Sequence, residues 1–225
     1  MTDKSPFAYN LAANRKTLTE EVVELIRSAI LGGHYSGNQQ ITESRISEEF
    51  NISRGPVREA LRELVASGLV VHHANRGYFL REFTIDDIEE ICLVRIALEK
   101  LAVKLAVKRA TDDELAELAE TIENMHTGVR DMQRASMDDY QFHFKICQLA
   151  KLQRLQDMWS LMADQTCLAI AGINQSFDDS APGFVGEHRE ILDALRERKA
   201  GKAMKLIEKH ILLGVKNLKN SIQKD

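Results

Sequence analysis

Cysteine is scarce in this chain. Three residues, Cys92, Cys147 and Cys167, are odd in number and too widely spaced for a disulfide framework or a CxxC zinc site. That usage fits a reducing cytosol. Prolines number only three and aromatic residues make up 6%, which leans toward helix. No apolar run approaches the roughly 20 residues of a membrane span. Residues 1–20 are polar and mixed in charge, with no apolar signal-peptide region. Charge of one sign is lacking too. The net charge is −4, residues 1–83 carry ten basic and ten acidic side chains, and the remainder carries 20 and 24. A globally basic nucleic-acid binder is thereby excluded, but a chain with one small basic face is not. What is present is 44% hydrophobic content, enough for a full core in one or two domains.

The stretch ISRGPVREALREL at 52–64 places Arg54, Arg58 and Arg62 four residues apart. Each such step advances about 40° around a helix, so the arginines form one narrow stripe. Val57, Ala60, Leu61 and Leu64 form the adjoining apolar stripe. Ser53 is placed to cap the helix with its hydroxyl, Gly55 and Pro56 fall in the first turn, and Gly68 ends it. Arg62 is expected to pair with Glu59 or Glu63. Before this helix, the pattern predicts helices over about 19–31 and 43–50, separated by GGHYSGNQQ. After it, LVVHH and GYFLR flank ANR as a short β-hairpin. Three helices and a hairpin outline a winged helix-turn-helix.

From Thr84 onward the pattern is helical, with segments at about 85–109, 112–130, 137–150, 152–175, 183–198 and 201–222. Thr84, Thr111 and Ser136 precede acidic residues, as helix starts prefer. Four ionisable side chains fall on apolar faces here. His188 lies among Phe184, Val185, Ile191, Leu192 and Leu195. His210 lies among Ala203, Leu206, Ile207 and Leu213. Asp139 and His143, four apart, share a face with Ile146 and Cys147. Inward-facing groups of this kind need partners, and three imidazoles with one carboxylate suit a first-row divalent metal in a helix bundle. His34, His72, His73 and His126 are read as surface or wing residues. Arg95 and Glu99 also interrupt an apolar stripe. They are read either as a structural Arg–Glu contact or as a site where Arg95 clamps a ligand carboxylate. Thr166 and Asn174 are further candidates to line that cavity.

The segment ITESRISEEFNISRGPVREALRELVASGLVVHHANRGYFL resembles the DNA-binding domain of GntR-family bacterial transcription regulators. VRIALEKLAVKLA, DDYQFHFKI, EHREILDAL and KHILLGV resemble, in order, the all-helical FCD-type effector domain of the FadR subfamily, and six helices resemble its shorter, VanR-like branch. YSGNQQIT departs from the family in lacking the usual Pro-Gly. The resemblance implies DNA-contacting residues at Arg45, Arg54 and Arg58, with Ser53 beside them, and a wing tip at His73, Asn75, Arg76 and Gly77. It also implies a metal set at Asp139, His143, His188 and His210, since many FadR-type domains carry an Asp and three His at these positions.

The expectation is a mostly α protein: a tail over 1–17, a winged helix-turn-helix over 18–83, and a helical effector-binding and dimerisation domain over 84–225. Its expected partners are operator DNA, a second copy of itself and a small carboxylate effector, with no membrane. Its expected cofactor is one divalent transition metal per chain, zinc, nickel or manganese. The expected function is a cytoplasmic transcriptional repressor binding a palindromic operator. Two other readings stay open: a sensor in which the metal is the signal, and a helical metalloenzyme with a DNA-binding head.

Overall fold

The computed structural model describes residues 16–127, 132–173 and 181–222. The chain begins with α1 (Leu18–Leu31), started by a capping box in which Thr17 accepts from the Glu20 amide and Glu20 accepts from the Thr17 amide. Then follow β1 (Gln40–Ile41), α2 (Glu43–Glu49), α3 (Arg54–Ala66), β2 (Val70–His73) and β3 (Gly77–Leu80). The strands form an antiparallel sheet in the order β1-β3-β2, with Ile41 opposite Tyr78 and Val70 opposite Leu80. The hairpin expected from the sequence is β2 and β3. The third strand, β1, lies in the segment that lacks Pro-Gly. It is held by Leu80 donating to the Gln39 carbonyl at 2.9 Å.

The apolar stripe of α3 is fully buried at Val57, Ala60, Leu61 and Leu64. It packs on Val22, Val23, Ile26 and Ile30 of α1 and on Ile41, Ile46, Tyr78 and Leu80. Each of these large side chains contributes about 1.5–3 kcal/mol by leaving water, so the amphipathic pattern alone suffices to dock α3 with its arginines outward.

The second core is wholly helical: α4 (Ile85–Arg109), α5 (Asp112–Thr127), α6 (Met132–Leu149), α7 (Gln153–Ile173), α8 (Ala181–Arg196) and α9 (Ala200–Ile222). Thr84 and Asp87 form a capping box at the start of α4, and Thr111 and Glu114 exchange the same pair of bonds at the start of α5. Helix α6 starts at Met132, so Ser136 sits inside it rather than at its start. Helix α4 packs against α6, α7, α8 and α9, which brings the buried polar residues of four helices together.

Helix α7 also touches the first core. Its Leu168 is buried among the residues of α1 and α3. Asp164 pairs with Arg27 of α1 at 2.8 Å, and the Gln165 side chain donates to the Ser67 carbonyl at the end of α3 at 2.8 Å. At that end Gly68 adopts φ +77°, and a Cβ there would lie 2.5 Å from Gln165 Nε2.

Candidate nucleic-acid interface and metal-ligand cluster

An open groove of about 760 Å³ runs between α2, α3 and the sheet. Its walls include Glu43, Ser44, Arg54, Arg58, Arg62 and Gly77. All three stripe arginines therefore face one concave surface. Arg54 and Arg62 are exposed. Arg62 makes no ion pair within 4.0 Å among the described residues, which corrects the expected pairing with Glu59 or Glu63. Glu59 instead accepts from the Thr19 hydroxyl at 3.1 Å. Arg58 is held by Glu43 of α2 in a two-bonded pair at 3.0 and 2.9 Å. Those bonds, against the opposing effect of burial, hold the Glu43 carboxyl below its usual range, with Arg54 and Arg62 adding to the field.

Ser53 occupies the N-cap position, with φ −70° and ψ 157°, but its hydroxyl makes no capping bond. The reason lies three residues on. The cap's donor is the amide of the second or third helical residue; the third, Pro56, has none, and the second, Gly55, makes no bond to the Ser53 hydroxyl. Arg45 is exposed on α2 and lies outside the groove walls, where its neighbours Glu43 and Ser44 are found instead. At the wing, His73, Asn75 and Arg76 are exposed. Asn75 and Gly77 take φ of 62° and 90°, which turn the chain sharply. His73 and Arg76 both pack on Phe79, with centroid distances of 5.2 and 5.3 Å. Gln40 of β1 donates to the Arg76 carbonyl at 2.8 Å and so braces the wing tip.

Within the second core, Asp139 and His143 of α6, His188 of α8 and His210 of α9 converge. One ligand atom from each lies within 4.8 Å of all the others. Nε2 of His188, His143 and His210 stand 3.1, 3.3 and 3.6 Å from the same oxygen, Asp139 Oδ1. His143 and His188 are wholly buried and His210 nearly so. Behind the cluster, Nδ1 of His143 faces Glu99 Oε2 at 2.5 Å and Nδ1 of His210 faces Glu187 Oε2 at 2.8 Å.

These outer carboxylates decide what the cluster suits. A carboxylate only accepts, so each Nδ1 carries the proton. In the neutral ring Nε2 is then a lone pair, aimed at another acceptor, Asp139. His143 Nε2 is buried with no hydrogen-bond partner. Either His143 and His210 are charged or a cation belongs between them and Asp139. Burial alone would lower the His143 pKa, yet Glu99 and Asp139 outweigh it and push it up to about 9. Burial dominates at His188 and lowers it. Three imidazole nitrogens, one carboxylate and carboxylates orienting the far nitrogens form a donor set fit for a divalent transition metal. The sequence displayed the inner four. Glu99 in its role behind His143, and Glu187, were not read from it, since both contacts cross between helices.

Arg95 is buried on α4, with Nε donating to Glu99 Oε1 at 2.9 Å, so the structural Arg–Glu contact is present. Trp159 Nε1 donates to the same oxygen at 2.8 Å. Burial opposes its charge, but His143 and Arg95 prevail and hold the Glu99 carboxyl at about 2. Arg95 also lies within the field of Asp139, beside the cluster. Thr166 is buried and donates to its own helix at the Met162 carbonyl, 2.9 Å away. Asn174 lies outside the described residues.

Residues 18–80 match the family of bacterial regulatory proteins, gntR family, and residues 90–213 match the FCD domain. The chain is a GntR-family regulator of the FCD type. It is 26% identical over 202 residues to an uncharacterised HTH-type regulator, YdhC of Bacillus subtilis, covering 88% of this chain and 89% of that one. It is 22% identical to the HTH-type transcriptional repressor RspR of Escherichia coli, covering 86% of each. A crystal structure of a GntR regulator from Rhodococcus sp. RHA1 superposes with a TM-score of 0.80 at 24% identity, covering 90% of this chain and 97% of the other. These families and relatives are transcription regulators, not enzymes, and the protein is a DNA-binding transcription regulator. Among the described residues no helix is long and apolar enough to cross a membrane.

Proposed function

We propose that this regulator is a cytoplasmic, dimeric repressor that reads a palindromic operator and responds to a small organic acid held beside a divalent metal. The DNA half of the reading rests on the groove that gathers Arg54, Arg58 and Arg62 with the wing. The start of a recognition helix enters the major groove, where a guanidinium grips guanine or phosphate. Arg45, Ser53, His73, Asn75, Arg76 and Gly77 are assigned to its flanks. Apolar side chains exposed on α4, Leu93, Val94 and Leu101, and on the neighbouring α7, Met158 and Leu161, support pairing with a second copy.

The observation that carries the effector half is the convergence of three Nε2 atoms on Asp139 Oδ1. Asp139, His143, His188 and His210 would hold the ion, which supplies Lewis acidity to draw in a carboxylate. Arg95 retains its terminal amino groups for the same ligand, with Thr166 and Asn174 assigned to the lining. An acid binding the two states of the DNA heads unequally shifts operator affinity.

Two measurements test this. Purified protein should carry about one divalent ion per chain by elemental analysis, and His188→Ala should lose it. A chain that takes up no metal and shows no change in melting temperature on its addition returns all four residues to a structural role. In footprinting, Arg54→Ala should cost on the order of 1–3 kcal/mol at the operator if it reads a base. Wild-type protection by that variant removes Arg54 from the interface. If the apo protein binds DNA only after metal is added, with no acid needed, the ion itself is the signal.

A further inference from the structure

Glu43 is an acidic residue on the surface meant for DNA, and neither its sequence context nor the family match assigns it a task. Its placement is specific. It stands in the first turn of α2, fifteen residues before Arg58, and the two helices bring them into contact only in the folded head. Arg58 Nε donates to Oε1 at 3.0 Å and Nη2 donates to Oε2 at 2.9 Å. The Arg58 side chain remains half exposed and Glu43 is 22% exposed. Arg54 and Arg62 flank the pair in the same groove and are not drawn into it.

The donor inventory shows what this leaves. A guanidinium has five N–H groups in a fixed plane. Glu43 takes the Nε proton and one proton of Nη2. Of the three that remain, one on Nη1 and one on Nη2 lie along the end edge, while the second Nη1 proton points back toward the Cδ side. The end edge is the fork that matches O6 and N7 of guanine. A carboxylate here also repels phosphate, so it weakens attraction to DNA of any sequence. What it gives in return is a side chain already fixed in direction before contact, which lessens the entropy lost on binding.

We infer that Glu43 is a positioning residue for operator reading: it holds Arg58 so that the Nη1–Nη2 edge faces a guanine, and thereby raises discrimination at the expense of general DNA affinity. The inference rests on the assignment of Arg58 to the DNA interface. A free Arg58 swings among phosphates. A held one meets the base edge.

The test compares wild type, Glu43→Gln, Arg58→Ala, the double variant and Arg58→Lys. The probes are a duplex selected from a random library by the wild-type protein and a random duplex of equal length. Glu43→Gln should lose about tenfold or more on the selected duplex, while affinity for the random duplex stays level or rises. In the Arg58→Ala background the Glu43 change should add nothing to the loss. Arg58→Lys, which keeps charge but has no Nε–Nη2 fork, should repeat the loss of discrimination with random binding retained, and it decides the matter should Glu43→Gln not fold. Wild-type discrimination in Glu43→Gln or Arg58→Lys overturns the inference. So does a parallel loss on both duplexes with a lowered melting temperature, which marks Glu43 as a strut. Wild-type binding by Arg58→Ala instead removes Arg58 from the interface, and the positioning role with it.

Discussion

Glu99 is wholly buried and accepts from three buried side chains, Arg95, Trp159 and His143. Removing such a hub strands all of its partners. Glu99→Ala should therefore destabilise the helical core by about 3–5 kcal/mol, the scale for breaking a buried ion pair by deleting one member. Urea unfolding followed through Trp159 fluorescence measures it, and a loss under 1 kcal/mol would show that the network is not structural. The same residue shows how far a sequence reveals a site. Glu99 and Arg95 were legible as a pair because they lie four apart on one helix. Its bonds to His143 and Trp159 span 44 and 60 residues, and no periodicity encodes a distance across a bundle. Glu43 and Arg58 were hidden for the same reason. Ser53 shows the opposite failure: a good cap by residue type, undone by a proline whose missing amide is equally plain in the sequence.

At the scale of elements, the long helices and the β2–β3 hairpin were legible because each repeats its pattern over several residues. Strand β1 has only two residues and no alternation to display. The junction between α3 and α7 was likewise invisible, yet it is closely fitted. Gly68 combines φ +77° with a side chain, Gln165, standing where its Cβ would be. Gly68→Ala should cost roughly 1–2 kcal/mol for the left-handed backbone, and must also push Gln165 away from the Ser67 carbonyl. Gln165→Ala alone should cost less, since only one hydrogen bond is lost. Thermal unfolding of the two variants checks the order. Equal losses would mean that the backbone conformation carries no strain.

The whole molecule has two cores, and α7 belongs to both. The Arg27–Asp164 pair spans them with Asp164 largely buried. Burial raises the Asp164 pKa by more than Arg27 lowers it. The folded state thus holds this proton more tightly than the unfolded chain does. Its contribution to stability is full below the ordinary carboxylate pKa and is lost as the pH climbs through the raised folded value. Asp164→Asn should accordingly leave the melting temperature at neutral pH unchanged or slightly higher and flatten that part of the pH profile. A fall of several degrees would show the ion pair to be net stabilising. An unchanged or higher melting temperature marks the pair as serving registration between the two cores rather than cohesion.

Helix α4 has a mechanical consequence of its own. Its 25 residues contain neither glycine nor proline, so it has no built-in hinge and turns as a rod. At one end Asp87 is tied to Arg81, just beyond the wing, at 3.2 Å. Twelve residues further on stands Glu99, behind the histidines. At 1.5 Å per residue the two points are about 18 Å apart, so a tilt of only about 3° at the inner end carries the outer end by roughly 1 Å. A displacement of that size is comparable to the tolerance of a hydrogen bond to a base edge. On the reading proposed above, a small rotation beside the histidines is thus enough leverage to move the Arg58 fork out of register with a guanine.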